Sequence, residues 1–385
     1  MIAYNKQWLY NLYVRNKAEE AYRYGDITLM ERDSILFKHP YLFYTPNIFV
    51  RVGLFLLTII ISNSSVGLFS LLFMSGNIAT AIGILAIIVG AINYGVLEFF
   101  TQKKHHFNSG VDHALMLTTA TGLVAGLNLL FNVSPITNAF ISFLIASYFA
   151  VRFSDAFMSI LAFCCFVCLT TLAVITHFPG LKYYLPFTLM AFSIASIIGI
   201  KKLRRRTYYG KYYNSSLLWL EIISGIGLYA FGNYYVIKEI GNSLLNAQAN
   251  DSIVPFSFIF WILTIVMPLV YLGYGIVKRN ILYIRLGLIC IVAMAVTIRY
   301  YYNFLSAEIF LTLGGIFVTL VAWILIRFLK QPRSGFSSLK LFDTNELVNL
   351  ESLIVIENFS QNSPSPDDPL FGGGSGGGGG ASSHY

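Results

Sequence analysis

Ten runs of about twenty mostly apolar residues follow one another along this chain, over 49–74, 78–99, 113–131, 136–152, 156–176, 184–200, 215–234, 254–277, 280–298 and 306–328. That length is what an α-helix needs to cross the roughly 30 Å hydrocarbon core of a bilayer. Hydrocarbon offers no hydrogen bond to a bare peptide group, so only helices and closed barrels cross it, and runs of this length specify helices. Composition agrees, with 56% hydrophobic and 11% charged residues, where a soluble domain carries about 25% charged. The expected fold class is an all-α polytopic membrane protein with about ten transmembrane helices. The first run contains Ser62-Asn63-Ser64-Ser65 and could be two short helices, although the distribution of charge speaks against two full crossings there.

Cations resist translocation, so Lys and Arg should collect in every second loop. With the N-terminal segment inside, Lys6, Arg15, Lys17, Arg23, Arg32 and Lys38 precede the first run; Lys103 and Lys104 follow the second, and Arg152 the fourth. Lys201, Lys202, Arg204, Arg205, Arg206 and Lys211 follow the sixth, Lys278 and Arg279 the eighth, and Arg327, Lys330, Arg333 and Lys340 the tenth. That places 21 of 26 basic residues on one side, against Lys182, Lys238 and Arg299 on the other, with Arg51 and Arg285 inside runs. Ten crossings with both ends cytoplasmic, in a bacterial inner membrane, is the expectation. The net charge of +8 then records topology and implies no nucleic-acid partner. Tyr pairs at run ends, such as Tyr183-Tyr184, Tyr234-Tyr235 and Tyr300-Tyr301-Tyr302, suit the headgroup zone.

An ionisable residue inside a crossing is costly and is a candidate for function. Glu221 and Arg285 each lie about two turns into their runs from the same side, roughly 8–9 Å deep, and are expected to pair. Arg299 and Glu308 flank one outer connection and suggest a hairpin closure pair. No charge falls near mid-depth, which speaks against an ion-coupled carrier. The third run offers a polar face of Thr118, Thr121, Gly122, Gly126 and Asn128. Its G-x-x-x-G spacing favours close helix packing over a lined pathway, and Asn93 of the second run could reach it.

His105, His106, Asp112 and His113 lie between the second and third runs. They are metal-ligand types, but their spacing matches no zinc signature, and a wet loop is the expected reading. Cys164, Cys165, Cys168 and Cys290 all sit within apolar runs as fillers. No nucleotide loop or nucleophile–base order is present. No cofactor, metal site or catalytic residue is therefore expected, and no enzymatic activity.

The first 47 residues are polar and aromatic rather than a signal peptide, so the first run itself is expected to direct insertion. They suggest two short helices, the second opened by a capping box of Thr28 and Glu31 and ended by His39-Pro40. Gly25-Asp26-Ile27-Thr28 with Glu31 resembles the G-x-I-[ST]-x-x-E hairpin that opens a bacterial family of multi-pass membrane proteins of unknown function. Similar hairpins occur in short bacterial oligomerisation modules. The resemblance implies a cytoplasmic helical hairpin over 1–47 ahead of a membrane domain over 48–330. A short cytoplasmic segment follows over 331–360, and then a glycine-rich tail over 361–385, expected to be disordered. Phe371-Gly372-Gly373-Gly374-Ser375 and the ending Ala381 to Tyr385 read either as an engineered linker or as the native glycine-rich ending of membrane proteins with a TPM-type domain, which they resemble. In the second case Phe371 and Tyr385 would mark a docking tail; an inert tail is the alternative.

The expected function is that of a non-enzymatic scaffold or accessory protein, with the lipid bilayer as its surroundings and a protein partner held through the tail or the hairpin. A transporter or channel for a neutral or lipidic solute is the alternative.

Overall fold

The computed structural model describes residues 2–23, 25–70, 78–245, 256–278 and 280–302, with single helical positions between 312 and 327. The described residues form α-helices and no strand: α1 Lys6–Arg23, α2 Leu29–Lys38, α3 Ile48–Ser70, α4 Ile78–Gln102, α5 Val111–Phe131, α6 Pro135–Phe153, α7 Ala156–His177, α8 Leu185–Arg205, α9 Thr207–Tyr212, α10 Asn214–Ala230, α11 Tyr234–Leu245, α12 Ser257–Val277 and α13 Ile281–Tyr301. A 3₁₀ turn, Pro179–Tyr184, leads into α8. Eight of these segments, α3 to α8 together with α12 and α13, are long and apolar enough to cross a membrane. Most of the tenth apolar run, Glu308 and everything beyond Arg327 lie outside the described residues.

The first run is one unbroken helix through its polar tetrad. Ser65 Oγ bonds back to Ile61 O at 2.8 Å, and Ser62 turns into the bundle, where Asn93 Nδ2 of α4 donates to its Oγ at 2.5 Å. The seventh run, 215–234, forms a shorter helix than expected and is followed by a further helix. α10 stops at Ala230 after 17 residues and α11 starts at Tyr234. Asn233 causes the break. Its Oδ1 accepts from the backbone N–H of Tyr235 at 2.9 Å, capping α11, while its Nδ2 donates to Thr297 Oγ1 of α13 at 3.1 Å.

The closest helix pair is α4 with α5, because glycines leave backbone against backbone. A Cβ on Gly122 would stand 2.8 Å from Ala86 O, and one on Gly126 2.7 Å from Gly83 O. With no hydrophobic drive between helices in lipid, such close approach is a principal source of association.

At one end of the bundle the helix termini converge. Tyr213 Oη donates to Val151 O at 3.0 Å, and Ser154 Oγ to Tyr212 O at 2.9 Å. Residues 2–46 are laid across this end. Ala3 N–H bonds Arg152 O at 2.8 Å, and Tyr44 exchanges backbone bonds with the 103–110 connection, Tyr44 N to His105 O at 2.9 Å and Phe107 N to Tyr44 O at 3.2 Å. Tyr4, Trp8, Phe43, Phe107 and Phe153 pack ring on ring beneath. α2 begins with both halves of the Thr28–Glu31 capping box, and the Thr28 bonds hold the exposed Glu31 carboxyl below its ordinary pKa.

Gly110 sits where this cover meets α3, with φ +90° and the space for a Cβ only 2.1 Å from Arg51 O. Gly110→Ala is expected to cost at least about 2 kcal/mol, through a forbidden φ and a backbone overlap. Gly95→Ala, with nothing within 4 Å of its added Cβ, should cost nothing measurable. Thermal unfolding of both variants in detergent checks the contrast.

Candidate functional site

The densest set of buried ionisable groups lies under the N-terminal cover, where α5 and α7 begin. Asp155 is the N-cap of α7 and its Oδ1 accepts from Met158 N–H at 2.7 Å. Asp112 lies in the first turn of α5, and its Oδ1 accepts from Ser109 N–H and Gly110 N–H, both at 3.0 Å, and from Ser109 Oγ at 3.2 Å. Carboxylates at helix N-termini meet unpaired N–H groups and the positive end of the peptide dipoles. His113 stands between the two acids, with Nδ1 3.3 Å from Asp112 Oδ1 and Nε2 2.9 Å from Asp155 Oδ2. The carboxylate side chains are 1% and 4% exposed. Two buried carboxylates, one at each ring nitrogen, call for an imidazolium that donates from both.

Glu98 and Arg152 form a second pair beside it. Arg152 Nε and Nη2 donate to Glu98 Oε1 and Oε2 at 3.0 and 3.1 Å, a forked arrangement, and Tyr94 Oη donates to Oε1 at 2.9 Å. Tyr4 covers the cluster from the N-terminal segment. Burial, and then the charges of Asp112, Asp155 and Glu98, push its phenol well above the ordinary value. His106 Nδ1 lies 2.8 Å from Ser109 Oγ; burial lowers its pKa, partly opposed by Asp112. The wet loop expected over these histidines is corrected in part: Lys103 and Lys104 are exposed and the three histidines half-buried, but Ser109 and Asp112 are fully buried beneath the N-terminal segment. Backbone strain gathers here too, with positive φ at His105, Asn108 and Ser154.

A histidine, serine and aspartate in contact invite a catalytic reading, but their order is wrong for one. Asp112 touches the Ser109 hydroxyl rather than the far nitrogen of His106, so nothing orients the imidazole as a base. The three histidines also diverge: His105 packs edge-on against Trp8 and His106 against Phe100, while His113 faces the acids. Among the described residues no three His, Cys, Asp or Glu side chains are placed to hold a metal ion. No family model, curated protein or solved structure matches this chain.

A second buried acid, Glu221, is 2% exposed. Its expected partner, Arg285, is corrected to Arg204, whose Nη1 stands 2.8 Å from Glu221 Oε2. This is an ion pair by distance without hydrogen-bond alignment. Tyr283 Oη donates to Glu221 Oε1 at 2.7 Å. Arg285 is two residues past Tyr283, about 200° around α13, and is exposed. Lys201, one turn before Arg204, donates to Tyr274 Oη at 2.9 Å and sits 4.5 Å from the ring centres of Tyr274 and Tyr283. The inward face of a cationic run therefore supplied the partner, and the i, i+3 spacing of Lys201 and Arg204 is the signal that sequence reading passed over.

On the polar face of α5, Thr118 is buried and accepts from Asn93 Nδ2 at 3.2 Å. Thr121 is exposed, with its hydroxyl returned to Leu117 O; Gly122 and Gly126 press on α4; Asn128 is half-buried. Arg299 ends α13, but its expected partner Glu308 lies outside the described residues, as do Phe371 and Tyr385.

Removing the cation from between two buried carboxylates should be severe: His113→Gln is expected to destabilise by about 3 kcal/mol or more. Asp155→Asn keeps the α7 cap, since Asn caps as well as Asp, so adding it to His113→Gln should recover part of the loss. Unfolding of the two single variants and the double variant measures this coupling.

Proposed function

We propose that the chain is a non-enzymatic scaffold or accessory protein of a bacterial inner membrane. It would cross ten times with both ends cytoplasmic, and would hold a protein partner through the N-terminal helices or the glycine-rich tail. The observation that carries this reading is the way polar groups among α3, α4 and α5 bond to one another, Asn93 to Ser62 and Thr118, while Gly122 and Gly126 close the seam. A conduit needs such groups left facing a cavity; here they join helices. The convergence of the 103–110, 152–155 and 201–213 connections at one end of the bundle supports the parity of the threading. The resemblance of the first helices to an oligomerisation hairpin supports a partner.

A second reading, passage of a neutral or lipidic solute, draws on the break between α10 and α11, since broken helices line carrier sites. The buried Asn233, however, is bonded to Tyr229, Thr297 and the start of α11.

Fluorescent-protein fusions ending at residues 106, 211 and 278 are expected to be bright, and those ending at 180 and 240 dark. Opposite signals at 106 and 211 would refute the threading. Deleting residues 372–385 should change the set of proteins recovered by cross-linking; an unchanged set removes the tail from the proposal.

A further inference from the structure

The basic end of α8, residues 201–205 with the C-cap Arg206, divides between two faces. Lys201 and Arg204 turn inward to Tyr274, Tyr283 and Glu221, on the same side as the buried Leu189, Ser193, Ile197 and Ile200. Lys202, Arg205 and Arg206 turn outward. Their side chains are exposed, and none has an acid partner or ring contact among the described residues. On this outer face the residues preceding them at helical spacing are Ala191, Ile194, Ala195 and Ile198, all exposed, Ile198 at 62%. One stripe thus runs from small and branched apolar residues into three cations.

Ala191 to Ile198 spans about 10 Å of helix axis, most of the roughly 15 Å acyl depth of a single leaflet. The cations begin one turn later, at the height of a headgroup phosphate. Two exposed alanines beside Ile194 and Ile198 leave a shallow track for a chain, and the two guanidinium groups can each offer a fork to phosphate oxygens.

We propose that this outer face of α8 is a binding site for an anionic glycerophospholipid, with an acyl chain along Ala191–Ile198 and its phosphate held by Lys202, Arg205 and Arg206. Basic side chains between crossing helices at a membrane edge recognise such headgroups. The proposal rests on the membrane embedding alone, and not on the number of crossings or on the scaffold role. Its physical content is that acyl stripe and cations act together, which a general positive field would not require.

The test uses the full chain, delipidated in a neutral detergent and titrated with dioleoyl phosphatidylglycerol, dioleoyl phosphatidylcholine or glycerol phosphate, with bound lipid counted by native mass spectrometry. Phosphatidylglycerol should bind and the other two should not. The triple variant K202Q/R205Q/R206Q should weaken phosphatidylglycerol binding on the order of a hundredfold. K103Q/K104Q/K278Q removes three other exposed cations from the same end and should leave binding within threefold. Equal losses in the two variants would reduce the effect to net charge and overturn the site, as would unchanged binding in the first. Glycerol phosphate binding as tightly as the lipid would overturn the acyl track. These outcomes do not touch the fusion signals, which report threading whatever the lipid does. All substituted positions are exposed, and unchanged helical circular dichroism verifies that each variant is folded.

Discussion

Hydrocarbon cannot accept or donate a hydrogen bond, and this single fact organises the interior of the protein. Polar side chains that leave the lipid-facing surface need partners, and while many hydroxyls return to their own helix, the buried amides find theirs on neighbouring helices. Asn93 reaches Ser62 and Thr118, tying three helices at once. Asn233 reaches Tyr229 and Thr297 while capping α11, and Tyr271 Oη donates to Gly225 O at 2.7 Å. Water is the competitor that weakens such bonds in a soluble protein. With water excluded, what remains is competition from the same groups in other helix arrangements. The polar nodes therefore act as registers, fixing which turn of one helix faces which turn of the next, while the glycines of α4 and α5 set how near they come.

Charge is arranged by the same constraint. The buried acids Asp112, Asp155 and Glu221 all lie within a few turns of one end of the bundle, and each has a cation within 3.3 Å. Asp155 also receives a first-turn N–H group of α7, so it serves both helix capping and ion pairing, while Asp112 reaches back to the N–H groups of Ser109 and Gly110 just before α5. Burying such pairs does not by itself stabilise a fold, since desolvation opposes the attraction. What they supply is specificity: an assembly with α5 and α7 out of step would leave His113 between fewer than two carboxylates.

The crossing helices were legible because apolar length is a one-dimensional signal, and the Thr28–Glu31 cap because it is local. Asn93 could be aimed at Thr118 from depth alone. Depth failed for Glu221, since matching height says nothing of azimuth: Arg285 is level with the acid but turned away from it, while Arg204 approaches from a run of cations that topology already explained. The burial of Ser109 and Asp112 beside the half-buried histidines was not legible for a different reason. Whether the 103–110 connection meets water depends on residues 2–46, whose docking rests on rings and backbone bonds separated by scores of residues. No local pattern announces such a contact. The stop near Asn233 falls at the far end of the seventh run, and α11 beyond it carries Lys238 and Glu239, which do not read as part of a crossing.

The placement of the first residues also sets an order of events. Ala3 bonds to Arg152, so the segment around it has no native seat until α6 has been made, on the order of ten seconds later at typical synthesis rates. Tyr44 waits likewise for the connection after α4. Until then Trp8 and Phe43 lack their contacts with His105 and Phe107, and Tyr4 lacks Phe153. The strap thus settles only after the helices it covers have been made, and its arrival buries the carboxylates of Asp112 and Asp155.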